Sequence, residues 1–196
     1  MSWIATPPED GAAGGAAAAY ARDRATLGYV ANYTRVFAHR PAVLDAWRAL
    51  NGAVKASMDP RRYELATVAA ALRLRSSYCS LAHGAVLAEQ FDGPAAVTTL
   101  ATAPAAAPVT AVDRAVMALA DKVAAGAADM TEDDLAELRD LGVDDTDILD
   151  VVLAAAARCF FSSVLDAVGA EPDARLGSLH PALRDALTVG RPIARS

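Results

Sequence analysis

From Arg40 to Ser57 the chain reads "RPAVLDAWRALNGAVKAS", with apolar side chains at Val43, Leu44, Trp47, Leu50 and Val54. Steps of three and four place these on one face of a helix. Pro41 suits its first turn. The same period recurs along the sequence. A helical stretch is expected from about Ala13 to Gly28, and a short helix from Asn32 to His39. "MDPRRYELATVAAALRL" opens with Asp59 as N-cap and Pro60 at the first helical position, and runs to about Arg75. "SSYCSLAHGAVLAEQF" is a second helix, capped by Ser76 or Ser77 and ended near Gly93 and Pro94. The short link makes these two a helix hairpin.

"GPAAVTTLATAPAAAPVT" predicts a short helix followed by a Pro/Ala connector, Thr102 to Val109, and "TAVDRAVMALADKVAAGA" predicts another helix. "MTEDDLAELRDLGV" predicts a further one with Thr131 as N-cap and Gly142 at its close. A long helix from about Asp145 to Val168 ends at Gly169, and the tail holds a short helix around Pro181 to Leu187. No strand-like alternation of useful length is present. The pattern predicts an all-α fold in one domain over residues 1–196: N-terminal helices over about 13–57, a hairpin over about 59–92, a second helical half over about 110–169, and a tail over 170–196.

Composition supports that pattern and narrows the function. Hydrophobic residues make up 54% of the 196, many of them alanine, the best helix former. The net charge of −6 argues against nucleic acid as a main partner. Apolar runs such as "VVLAAAA" are shorter than a membrane span, and "MSWIATPPED" lacks the features of a secretory signal. A cytoplasmic protein without a membrane partner is therefore expected. The two cysteines, Cys79 and Cys159, form no disulfide framework, and in a reducing compartment both are free thiols. His39, His83 and His180 are scattered, so no metal site or cofactor is expected.

Candidate chemistry concentrates in the hairpin. Cys79 stands four residues before His83, one helical turn away on the same face. The first turn of a helix favours thiolate over thiol at Cys79. His83 can take or return a proton. Glu64, on the preceding helix, can approach His83 across the hairpin and orient it. Tyr78 is a candidate donor to a bound peroxide or carboxylate, and Ser76 a candidate hydrogen-bond donor to the Cys79 thiolate. Cys159, beside Phe160 and Phe161, reads as a buried packing residue.

At these residues the sequence resembles the carboxymuconolactone decarboxylase and alkylhydroperoxidase D superfamily, in its branch of peroxidase-related enzymes. The signature of that branch is a Glu, then after eleven residues a Cys-x-x-Cys, then x-x-x-His. Glu64, Ser76, Cys79 and His83 occupy those places, and "CSLAHG" resembles the Cys-x-x-Ala-His segment. "GYVANYTRVFAHRPAVLDAWRAL", "VDRAVMALADKVAAGAADMTEDDLAELRDLGVDDTDILDVVLAAA" and "VGAEPD" extend the resemblance over most of the chain. It implies a helical subunit that assembles into dimers, trimers or hexamers, with Glu64, Cys79 and His83 as the functional trio. In such relatives the second cysteine attacks a hydroperoxide and the first resolves it as a disulfide.

Two departures stand out. Ser76 occupies the resolver's place, and "FSS", Phe161 to Ser163, stands where the branch often shows Phe-Asn-Arg. The resemblance thus implies a one-cysteine peroxidase that uses an external thiol as reductant. The alternatives are a non-redox acid–base enzyme in which Glu64 and His83 act on a carboxylate substrate, and an oligomeric binding protein that has lost catalysis.

Overall fold

The computed structural model describes residues 2–195. Ten α-helices form among these residues: α1 (Gly14–Leu27), α2 (Asn32–Phe37), α3 (Pro41–Ser57), α4 (Pro60–Arg73), α5 (Ser77–Leu87), α6 (Gly93–Thr102), α7 (Ala111–Gly126), α8 (Asp133–Asp140), α9 (Asp145–Ala167) and α10 (Pro181–Leu187). No strand occurs among the described residues, so the fold class is all-α. A π-helical turn, Ala88–Asp92, joins α5 to α6.

The centre of the molecule is α4. Its residues from Tyr63 to Ala71 are all buried, so it is covered on every side rather than exposing a polar face. Its start is fixed as the sequence predicts: the Asp59 side chain accepts from the Arg62 amide at 2.9 Å, with Pro60 next. Alanines at 66, 69, 70 and 71 let the neighbouring helices come close. On one side α4 shares a core with α7, α8 and α9, through Val116, Leu119, Leu138, Val151 and Ala155. On another it packs on α5, α6 and α10 through Leu65, Leu81, Val97 and Leu187. A third cluster joins α1, α2, α3 and α9 around stacked rings: Trp47 on Phe161 at 4.8 Å and Phe37 on Phe161 at 5.5 Å. Such ring pairs add roughly 0.5–1.5 kcal/mol each beyond the area they bury.

Some local expectations are corrected. Thr131 does not cap α8, which starts at Asp133; the Thr131 amide instead donates to Asp134 at 2.9 Å. Ser76 holds the N-cap place of α5, but its hydroxyl makes no capping bond. By length and composition α9 is long and apolar enough to cross a membrane, contrary to what its short apolar runs imply. Here one face of it forms the core, through Ile148, Val151, Ala155, Phe161 and Leu165.

The C-terminal tail is a working part of the fold. Leu187 and the residues after it run back over the start of α5: Ser80 Oγ donates to the Leu187 carbonyl at 2.5 Å, and the Gly190 amide donates to Ser77 Oγ at 2.7 Å. Gly84, next to His83, faces Leu187, and a methyl group there would stand 2.4 Å from that side chain. The "AHG" glycine thus permits the close approach of α10 to α5.

Candidate active site

The hairpin link between α4 and α5 is three residues long and includes Arg75 in the left-handed region, at φ 56°. It folds α5 back on α4 so that His83 meets Glu64. His83 Nδ1 and Glu64 Oε2 are 2.6 Å apart. Lys55 Nζ holds the other carboxylate oxygen at 3.3 Å and lies 4.9 Å from the Tyr63 ring. Burial works to raise the Glu64 carboxyl, but the His83 hydrogen bond and the Lys55 charge outweigh it and hold it below its usual value. Burial, helped by the Arg158 charge, pushes His83 down to about 4, against the pull of Glu64. Both shifts lead to one state near neutral pH: an ionised Glu64 beside a neutral imidazole. The shared proton then sits on Nδ1, and Nε2 carries the lone pair.

Cys79 is in the first turn of α5 and only 1% exposed. It lines a pocket of about 280 Å³ together with Tyr33, Trp47, Arg48, His83 and Arg158. A larger groove of about 820 Å³, beside Leu72, Leu100 and Met117, contains none of the candidate residues.

Arg158, on α9, is a member of the candidate site that the sequence pattern does not single out. Its Nη1 donates to Cys79 Sγ at 3.5 Å, and its Nη2 to the Tyr63 hydroxyl at 3.4 Å. That hydroxyl in turn donates to Asn51 Oδ1 at 2.7 Å. The guanidinium lies 5.7 Å from both the Trp47 and Phe161 rings. Arg158 is 3% exposed, and among the described residues no carboxylate pairs with it. Burial works against its proton, yet the Cys79 sulfur and the Tyr63 hydroxyl outweigh burial and raise it above its usual value. A signal for it existed in the sequence: a lone charge within "LAAAARCFF", three residues before Phe161 on the buried stripe.

The other expected site residues divide. Glu64, Cys79 and His83 come together. The Tyr78 ring lines the pocket, but its hydroxyl is not a donor to substrate: it gives its proton to Asp173 at 2.6 Å and accepts from the Tyr33 amide at 3.2 Å. Ser76 does not bond the Cys79 sulfur; its hydroxyl is buried without a well-formed hydrogen bond, beside the Asp166 carboxyl, which burial raises against the pull of Ser76 and Arg191. The neighbour on the sulfur is Arg158 instead. Cys159 is half-buried rather than buried, and burial pushes its thiol up. Of the "FSS" departure, Phe161 lines the pocket, Ser162 is buried and Ser163 is exposed.

The site therefore holds a sulfur beside a fixed cation, and an imidazole base oriented by a carboxylate, along an aromatic wall. That set can support thiolate attack with proton transfer, or proton transfer alone.

Neither a protein-family model nor a curated protein matches the sequence. Solved structures do match. An uncharacterised peroxidase-related protein with an alkylhydroperoxidase AhpD core, from Ralstonia eutropha JMP134, superposes with a TM-score of 0.80 at 23% identity, over 89% of this chain and 94% of its own. An uncharacterised peroxidase-related protein from Silicibacter sp. TM1040 gives 0.80 at 22% identity, over 90% and 94%. The debrominase Bmp8 in complex with 2,3,4-tribromopyrrole gives 0.71 at 13% identity, over 94% and 95%. At such identities the likeness establishes the architecture: this chain has the helical fold of the alkylhydroperoxidase AhpD core.

Proposed function

We propose that the protein is a thiol-based reductase of small hydroperoxides that works with one cysteine. The observation that carries this reading is the Arg158 guanidinium on the Cys79 sulfur, in a pocket that His83 also lines. The guanidinium aims an N–H at the sulfur from 3.5 Å, where it can pair with a thiolate, the attacking form. His83 takes the thiol proton at Nε2. The sulfur then attacks the outer peroxide oxygen, the O–O bond breaks, and His83 returns the proton to the departing alkoxide. Products are Cys79 sulfenic acid and an alcohol. Glu64 holds the imidazole in the tautomer this needs. With serine at position 76, regeneration falls to an external thiol.

The test is hydroperoxide consumption with a small thiol in excess. Cys79→Ser is expected to abolish it, and His83→Gln to slow it by roughly 10²- to 10⁴-fold. Full activity in Cys79→Ser would remove the reading. It would favour the second one, supported by the Glu64–His83 pair, which is complete without the sulfur: acid–base catalysis on a carboxylate substrate.

A further inference from the structure

Regeneration of Cys79 needs an electron donor, and the structure restricts which one. Cys79 is 1% exposed, so a thiol fixed on the surface of a folded protein does not reach its sulfur without rearrangement. The pocket, at about 280 Å³, lies near the small end of the roughly 300–1,000 Å³ typical of small-molecule sites.

Its lining is rich in donors and poor in acceptors. Arg158 and Arg48 line it, and no carboxylate does. Arg48 Nη2 is paired with Asp23 at 2.8 Å, and its Nη1 lies 4.0 Å from the Asp45 carboxylate, buried with no hydrogen-bond partner among the described residues. Arg158 Nε is buried in the same condition. Asn51 spends its carbonyl oxygen on Tyr63, which leaves its amide nitrogen as a donor. Once the Cys79 sulfur is oxidised and uncharged, Arg158 retains a full charge against only a neutral phenol and two aromatic rings. A buried cation left in this state is costly, and an anion that enters the pocket relieves it.

Resting on the reading of Cys79 as the reacting thiol, we propose that the external reductant is a small thiol carrying a carboxylate, recognised by Arg158 with Arg48, and not the thiol of a redox protein. The acid's thiol passes its proton to His83, its sulfur attacks the sulfenic sulfur and forms a mixed disulfide, and the expelled hydroxide takes that proton from His83 and leaves as water. A second thiolate attacks the reductant's sulfur in that disulfide, releases the small disulfide and returns Cys79 as thiolate beside Arg158. Two electrons pass from two small thiols to the sulfenic acid.

The experiment avoids hydroperoxide. In a Cys159→Ser background, Cys79 is capped with methyl methanethiosulfonate, and release of the methylthio cap is followed by intact mass. The reductants are mercaptopropionate, its amide mercaptopropionamide, cysteamine and reduced thioredoxin. Each small-thiol rate is divided by the rate on the same cap carried by a free cysteine peptide, which removes differences in intrinsic reactivity. The acid is expected to exceed the amide by about tenfold or more, with the cationic amine slowest. The preference is expected to vanish in Arg158→Met and to survive in part in Arg158→Lys. Unreactive propionate should slow the acid in the otherwise unaltered chain, an arm that stands even if Arg158→Met fails to fold. Equal normalised rates for acid and amide overturn the proposal. So does faster release by thioredoxin, or failure of the small cap to reach Cys79. Acid selectivity without peroxide consumption would remove the proposed turnover alone, and the reverse result would remove the reductant alone.

Discussion

At His83 burial, two cations and a carboxylate compete over one proton, with Lys55 opposing it alongside Arg158. Burial and the Arg158 charge oppose protonation, while Glu64 favours it, and the balance leaves the imidazole neutral with a folded value of about 4 against a reference of 6.5. Glu64 is also held below its reference of 4.5. Both folded values lie below the unfolded ones, so between them the unfolded chain binds more protons than the folded one. The stability from this pair is complete above about pH 6.5 and is lost as pH falls toward 4. Denaturant midpoints measured from pH 7 to pH 4 should therefore fall, and His83→Gln should flatten the upper part of that slope. An unchanged slope in the variant would contradict the assignment. The pair was legible in advance: four residues bring Cys79 and His83 onto one face, and a short hairpin brings Glu64 to them. The roles of Tyr78 and Arg158 were not. The Tyr78 partner, Asp173, is 95 positions away, and Arg158 lies 79 positions from the sulfur it touches. Local periodicity carries no information about such contacts.

Among the elements, α5 shows how the turn that carries Cys79 is held in place. Its N-terminal serines spend their hydroxyls on the returning tail, with Ser77 accepting from Gly190 and Ser80 donating to Leu187. Arg75 Nε adds a bond to the Val189 carbonyl at 3.3 Å. Gly190 fits there because it has no side chain: a methyl group would stand 2.1 Å from the Arg75 carbonyl oxygen. That oxygen belongs to backbone and does not swing aside. Gly190→Ala should cost roughly 1–3 kcal/mol in equilibrium denaturation, through a forced shift of the tail away from the Cys79 turn. A change below about 0.5 kcal/mol would show that the tail does not brace the turn. In the sequence the tail reads only as Pro/Gly punctuation around one short helix. Its role emerges once α10 docks, because the contacts it makes lie more than a hundred positions back along the chain.

Over the whole molecule, helix number and most boundaries follow from period, caps and breakers, since each is a local property. Asp59, Pro60 and Gly169 mark ends where the sequence places them. What the pattern cannot order is the packing of three clusters around α4, and packing is what sets Arg158 of α9 against Cys79 of α5. The fold thus joins two halves at one sulfur: the hairpin brings Cys79 and His83, and the second half brings the Arg158 cation. The most direct test of this account is intact mass spectrometry of the Cys159→Ser protein after one equivalent of an organic hydroperoxide at neutral pH, with a sulfenate trap present. The account predicts rapid gain of one trapped sulfenate at Cys79, strongly slowed in Arg158→Met. An unmodified Cys79 with the hydroperoxide left intact would contradict it.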